Sequence, residues 1–133
     1  MLREERGSVS VLMAGVLAIL LLCSLGIADV GRVVLGRAEA QNAADAAALA
    51  AAQDLAYPVV GADPAASAEA WAAANGATLT ACRCETDATR VSVQVKKTVG
   101  PLRLLPAQVD IVASASAAVV VPAVSQGTPQ APR

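Results

Sequence analysis

Histidine and phenylalanine are absent from the 133 residues, and tryptophan and tyrosine occur once each. Without histidine, the chain cannot form the Ser-His or Cys-His pair that activates many catalytic nucleophiles. Its cysteines number three, and the C-x-C pair of Cys82 and Cys84 cannot by itself complete the four-ligand shell of a structural zinc ion. These absences exclude most enzyme classes and predict that the chain holds neither a cofactor nor a metal.

Charge is sparse and balanced, since ten basic and eleven acidic residues give a net charge of -1. Because the charges are scattered, the chain lacks the basic surface that nucleic acids need and the polybasic patch that anionic lipids attract. Glu85 and Asp87 form the one carboxylate pair that an enzyme could use, but a solvent-exposed turn explains them better. We therefore expect no nucleic-acid partner, no small-molecule substrate and no catalysis.

A twenty-residue stretch from Val9 to Ala28 carries no charge and no proline. As a helix it would be about 30 Å long, which matches the hydrocarbon core of a bilayer. The alternative is a buried helix in a soluble core, but so few aromatic side chains leave little with which to surround it. The stretch predicts a transmembrane helix whose partner is the lipid bilayer.

The polar leader, residues 1–8, precedes this helix and contains Arg3 and Arg6. Positive residues close to a membrane helix favour the cytoplasmic side, although Arg32 and Arg37 on the other flank oppose this bias. We expect a single-pass protein of the cell membrane with a cytoplasmic N-terminus and an extracytoplasmic C-terminal head.

Three kinds of processing compete at the apolar run. Signal peptidase cleavage after Ala28 would release a small secreted binding module, but the run is longer than the apolar region of a secretory signal. A lipoprotein signal does not fit, because Leu22 rather than a small residue precedes Cys23. Prepilin-type cleavage between Gly7 and Ser8 would remove only the leader and keep the membrane helix.

Residues 29–57 continue the helical pattern beyond the apolar run, because alanine dominates them and proline is absent until Pro58. An unbroken helix from Val9 to Ala56 would be about 72 Å long, so its second half would form a stalk. Asp29 and Arg32 can pair across one turn. Small side chains allow close packing against helices of other subunits or against the chain's own domain. The expected helix-packing residues are Ala14, Ala18, Ala43 and Ala47.

The sequence pattern of residues 58–121 predicts a small α+β head. Its helix should run from Pro64 to Asn75, with Asp63 as the N-cap and Gly76 just beyond the end. Trp71 is the only large side chain of this helix, and we expect it to be buried between the helix and its neighbours.

A period of two begins at Thr78 and predicts a three-stranded antiparallel meander. The strongest strand covers residues 90–99, where Val91, Val93 and Val95 alternate with polar residues. Its partners are residues 78–83 and 109–121, and the two helices should cover the apolar face. The leucines of the loop 100–108 could contact a partner or the membrane surface, but we expect them to tuck under the sheet, the commoner fate of apolar loop residues. The proline-rich tail, residues 122–133, is predicted to be disordered.

Cys82 and Cys84 lie two residues apart at the end of the first predicted strand. In an extended strand their Cβ atoms would be too far apart to bridge, so a bond between them requires a turn at Arg83. Free thiols, a local disulfide and an intermolecular disulfide all remain open.

Several segments resemble a known family. The polar RG leader, the apolar run, the sequence DVGR at residues 29–32 and above all QNAADAAALAAA at residues 41–52 are similar to the N-terminal segment of TadE/TadG-like proteins. These are minor pilins or pseudopilins of tight-adherence (Flp) pilus systems. The downstream WAAANGATLTAC and the alternating valines resemble short actinobacterial TadE-like members that are often found beside secretion genes.

The resemblance implies a subunit of a Tad-like pilus or secretion assembly, with other pilin-like subunits or Tad assembly proteins as its partners. Pilin-type signals commonly carry glutamate five residues after the cleavage point, and counting from Ser8 that place holds Leu12. Peptidase processing at Gly7 and incorporation into a fibre therefore stay open, as does an unprocessed subunit retained in the membrane.

Overall fold

A computed structural model describes residues 5–57, 60–85, 89–104 and 106–120 of the chain. Two helices precede a three-stranded antiparallel sheet, which confirms the predicted α+β layout. Asp87, the linker residues 58–59 and the tail 122–133 lie outside the described residues. The elements are α1 (Glu5–Ala56), α2 (Pro64–Ala74), β1 (Thr78–Arg83), β2 (Arg90–Val99) and β3 (Val109–Ala118).

Helix α1 is a single unbroken element of 52 residues, about 78 Å long. Its two halves differ in surroundings. Between Val9 and Ser24 every side chain is exposed, whereas from Ala40 onward most alanines are buried against the rest of the chain. The segment expected to be a stalk, residues 29–57, therefore forms one wall of the folded head.

Helix α2 begins and ends where its sequence signals predict. Asp63 is the N-cap, and its carboxylate accepts hydrogen bonds from the backbone N–H groups of Ala65 and Ala66 at 3.0 and 3.3 Å. Asn75 is the C-cap, and Gly76 adopts a φ of 70°, a conformation in which a side chain would be strained. These contacts turn the chain from α2 into β1.

The sheet is a meander in the order β1-β2-β3, and both strand pairs are antiparallel. Val91, Val93 and Val95 of β2 are buried as predicted, together with Ile111 of β3. The register of β1 against β2 shifts between Leu79 and Ala81, an irregularity that the alternating pattern did not predict. Strand β3 ends at Ala118, earlier than the predicted residue 121.

The core consists mainly of alanines from the helices and valines from the sheet. Helix α1 packs against α2, β2 and β3, and α2 also contacts β1. Since alanine has no side chain beyond Cβ, the helices can approach each other and the sheet closely. The fully buried members of the core are Ala40, Ala43, Ala44, Ala47, Ala51, Ala68, Ala72, Val91 and Val95.

The prediction that Trp71 is buried is wrong, since 55% of this residue is exposed. Helix α2 instead buries Ala68 and Ala72 against its neighbours. At the close distance that these alanines permit, an indole does not fit between the helices. Trp71 lies at the edge of the contact, beside Leu49 and Gln53 of α1.

Candidate functional site

The first half of α1 carries a wide apolar surface that the described part of the chain leaves uncovered. Apolar surface of this size on a protein marks contact with a membrane or with other proteins. We call these exposed residues of α1 the bare apolar surface. Its larger side chains are Val9, Val11, Leu12, Met13, Val16, Leu17, Ile19, Leu20, Leu21, Leu22 and Ile27.

Asp29 stands at the boundary between the bare apolar surface and the part of α1 that the head covers. Only 8% of this residue is exposed, and its two carboxylate oxygens accept hydrogen bonds from the backbone N–H groups of Arg103 and Leu104, each at 2.9 Å. Both donors belong to the loop between β2 and β3. The loop is therefore attached to the helix at the point where the apolar run ends.

The predicted pairing of Asp29 with Arg32 is wrong, because no such ion pair is found among the described residues. The Nη1 atom of Arg32 instead donates a hydrogen bond to the carbonyl oxygen of Pro101 at 3.2 Å. The pKa of Asp29 is lowered chiefly by the hydrogen bonds from Arg103 and Leu104, with smaller contributions from the positive charges of Arg32 and Arg103.

Gly36 lies where α1 passes close to the end of the sheet. A Cβ atom at this position would overlap Cγ2 of Val99 and lie 3.1 Å from Cδ1 of Ile111. Val99 is the last residue of β2, directly before the loop that Asp29 holds. The lack of a side chain at residue 36 thus allows the sheet to approach the helix.

Asp29, Arg32 and Gly36 are spaced i, i+3 and i+7, so they lie along one face of α1. The sequence analysis singled out Asp29 and Arg32 but did not predict that they share a contact surface with Gly36. The spacing was a usable signal for a shared face, but it could not reveal which loop the face contacts. We call this face, with the backbone of residues 101–104, the loop anchor.

The four predicted helix-packing residues fall into two classes. Ala14 and Ala18 are exposed, one turn apart on α1, and remain available to another helix. Ala43 and Ala47 are fully buried against the chain's own core. The sequence left packing against other subunits and packing within the chain both open, and these two residues pack within the chain, where β2, β3 and α2 cover the second half of α1.

Cys82 and Cys84 are joined as a disulfide in the structure. Their Cα atoms are 5.5 Å apart, closer than the roughly 6.6 Å of two residues in an extended strand, because the chain leaves β1 after Arg83.

Gly7 and Ser8 lie within α1, and cleavage between them stays a prediction.

We expect the loop anchor to make the thermal stability of the head depend on pH. Because folding lowers the pKa of Asp29 below its ordinary value of 3.8, its contribution is fully present above that value. The contribution is then lost as the pH falls through the lowered pKa. Asp29→Asn should lower the thermal midpoint of the head at neutral pH, and this difference from the wild type should close as the pH falls towards about 2.

Thermal unfolding followed by circular dichroism in detergent micelles measures this effect. Asp110→Asn is the matched control, because the pKa of Asp110 is also lowered, by the Thr98 hydroxyl and by Lys96, yet the residue is exposed and these partners lie on β2 rather than on α1. A difference between the wild type and Asp29→Asn that stayed constant with pH would contradict the role of the ionised carboxylate.

Comparison with known proteins finds one family model that matches the first helix. Residues 7–54 match the model of the Tad family, the TadE/G-like proteins of Flp pilus assembly. No curated protein and no solved structure matches the chain. The match contains the bare apolar surface, the helical part of the loop anchor and the buried alanines of α1. The likeness of residues 71–82 to short actinobacterial members lies outside the match and stays a prediction. Residues 7–54 are therefore similar to the TadE/G-like family of Flp pilus assembly.

Proposed function

We propose that the chain is a non-enzymatic, single-pass membrane subunit of a Tad/Flp-type pilus or secretion assembly, similar to a minor pilin or pseudopilin. The match of residues 7–54 to a pilus-assembly family supports a structural role. The observation that carries the proposal is the position of the bare apolar surface, which lies inside the matched segment and which the head leaves uncovered. Such a surface needs lipid or other helices around it.

The proposed membrane span is residues 9–28. Helix α1 is long and apolar enough to cross a bilayer, with a mean hydropathy of 2.7 in its most apolar window. The loop anchor begins directly after this span, at Asp29. We accordingly propose a cytoplasmic leader at residues 1–8, a helical stalk at 29–57 that also forms one wall of the head, the rest of the head at 58–121 and a tail at 122–133.

Other pilin-like subunits or Tad assembly proteins would contact the chain through the span. Without water to drive apolar association, helices in a bilayer associate through close packing at small residues. Ala14 and Ala18 meet this requirement, because both are exposed and both lie inside the proposed span.

Photo-crosslinking in cells that express the pilus genes tests this mode of assembly. A photoreactive residue at Ala14 or Ala18 should produce adducts with pilin-like proteins. The matched control carries the same residue at Val112, which is exposed on the sheet face that points away from α1. Adducts equally abundant at residues 18 and 112, or absent at 14 and 18, would contradict assembly through the helix.

The proposed orientation places the N-terminus in the cytoplasm and the head outside it. After mild reduction, a thiol reagent that cannot cross membranes should label Cys82 and Cys84 on intact cells. The variant Cys82→Ser/Cys84→Ser retains Cys23 and controls for labelling within the span. Protection of the wild-type chain until the cells are lysed would reverse the orientation.

Retention of the helix distinguishes this proposal from a secreted binding module. Helix α1 continues without a break through Ala28, and the family match includes both sides of that residue. The intact mass of the mature protein should correspond to a start at Met1 or, after prepilin-type cleavage, at Ser8. A start at Asp29 would establish release from the membrane.

A further inference from the structure

The loop between β2 and β3 extends along α1 as far as the proposed membrane span. A Cβ atom at Gly26 would lie 3.7 Å from Cδ1 of Leu104, so the two residues are neighbours. Gly26 belongs to the span, about 3 Å along the helix axis from its last residue, Ala28. The sequence analysis expected Leu104 to tuck under the sheet, but this residue instead reaches the end of the apolar run.

Leu104 exposes apolar surface beside the end of the proposed membrane span. It is 46% exposed, and Ile27 and Val30 of α1 are also exposed nearby along the helix. The side chain of Leu104 thus extends the bare apolar surface sideways, from the helix onto the loop.

Polar and charged groups lie immediately around this surface. Arg103 precedes Leu104 and is exposed, and Arg32 is exposed one turn beyond Asp29. Arginines beside apolar residues suit the boundary between acyl chains and headgroups, because the guanidinium can reach phosphate while the apolar side chain enters the acyl region.

The hydrogen bonds of the loop anchor also suit a position at the boundary between acyl chains and headgroups. Backbone N–H groups near hydrocarbon require an acceptor, because water cannot supply one there. Asp29 accepts from both N–H groups of Arg103 and Leu104, so the loop can approach the acyl chains with these donors satisfied.

We infer that the β2–β3 loop is a second membrane contact, with Leu104 in the outer part of the acyl region and Arg103 at the lipid phosphates. The inference rests on the proposed function, because it needs α1 to cross the bilayer. The loop fixes the depth of the helix and the tilt of the head, since it joins the sheet to the membrane surface at a second point.

Quenching of tryptophan fluorescence by brominated lipids tests this contact in the full-length chain. Trp71 is exposed, so Trp71→Phe provides a background in which Leu104→Trp introduces the only tryptophan. The protein is reconstituted in vesicles of phosphatidylcholine and phosphatidylglycerol, brominated either near the headgroup or deep in the acyl chains. The indole introduced at residue 104 should lose most emission with the bromines near the headgroup.

Two matched variants in the same background set the scale. Leu17→Trp lies near the middle of the proposed span and should be quenched most by deep bromines, whereas Val112→Trp should not be quenched. Far-UV circular dichroism and the thermal midpoint verify that each variant is folded like its parent.

The outcomes separate the inference from the proposed function. If residue 17 is quenched and residue 104 is not, the loop contact is overturned while the membrane helix stands. Blue-shifted but unquenched emission at residue 104 would mean that a second copy of the chain covers the loop, which also overturns the inference. If neither residue is quenched, the loop contact and the membrane helix both fail.

Discussion

Arginines introduced together at Leu17 and Leu20 are expected to remove the chain from the membrane. Both leucines are exposed on the bare apolar surface, and the described part of the chain offers them no other covering. A charged residue at the centre of a membrane helix costs about 3 kcal/mol, and the lost leucine removes a further few tenths. Two such changes, about 6 kcal/mol together, exceed what the remaining apolar residues of a single span can readily offset.

Flotation of membranes from cells that make Leu17→Arg/Leu20→Arg measures this effect. The control variant Leu49→Arg/Val112→Arg adds the same charge at two exposed apolar residues outside the proposed span. The control should float with the wild-type chain, and the variant in the span should not. If both variants floated with the membranes, charge in this stretch would be tolerated and the span would be in the wrong place.

Alanine at Gly36 and alanine at Gly31 are expected to change the stability of the head in opposite directions. At residue 36 the new Cβ overlaps Cγ2 of Val99, whose branched side chain has little rotational freedom. Overpacking of this kind costs about 1 to 3 kcal/mol, of which up to about 1 kcal/mol is offset by the better helix propensity of alanine. Because the new Cβ overlaps one side-chain atom and crowds a second, the cost lies in the upper part of this range, and the net loss in the free energy of unfolding should be about 1 to 2 kcal/mol.

At residue 31 a Cβ atom meets nothing within 4 Å, so only the propensity gain of up to about 1 kcal/mol remains. Chemical denaturation in detergent micelles, followed by the fluorescence of Trp71, measures both variants. Because the two glycines lie on the same helix, detergent and helix length affect them alike. Equal shifts for Gly36→Ala and Gly31→Ala would show that the sheet does not depend on a close approach at Gly36.

Local signals predicted most of the fold. The cap at Asp63, the glycine at residue 76 and the alternating valines of β2 act within a few residues, so the bounds of α2, β1 and β2 were predicted within a residue. The apolar run and the alanines after it predicted α1 in the same way. Antiparallel pairing followed because the connections between consecutive strands, residues 84–89 and 100–108, are shorter than the dozen or more residues that a parallel crossover needs.

The loop anchor could not be predicted, because it joins residues that are far apart in sequence. Asp29 and Arg103 are separated by 74 positions, and no local pattern indicates which backbone N–H groups a carboxylate will bind. The partner of Arg32 could not be predicted for the same reason. Its helical spacing favoured pairing with Asp29, whereas in the fold it donates a hydrogen bond to the carbonyl oxygen of Pro101. Trp71 was misplaced for a related reason: its size favoured burial, but the neighbouring alanines leave no space for it.

Alkaline carbonate extraction of membranes from cells that make the full chain tests the central claim most directly. Carbonate releases proteins that are held by surface contacts and leaves proteins that are held by a helix in the bilayer. With residues 9–28 in the bilayer, the whole protein, including its head, should remain in the membrane pellet. Recovery of the intact chain in the soluble fraction would contradict the membrane span and, with it, assembly through that span.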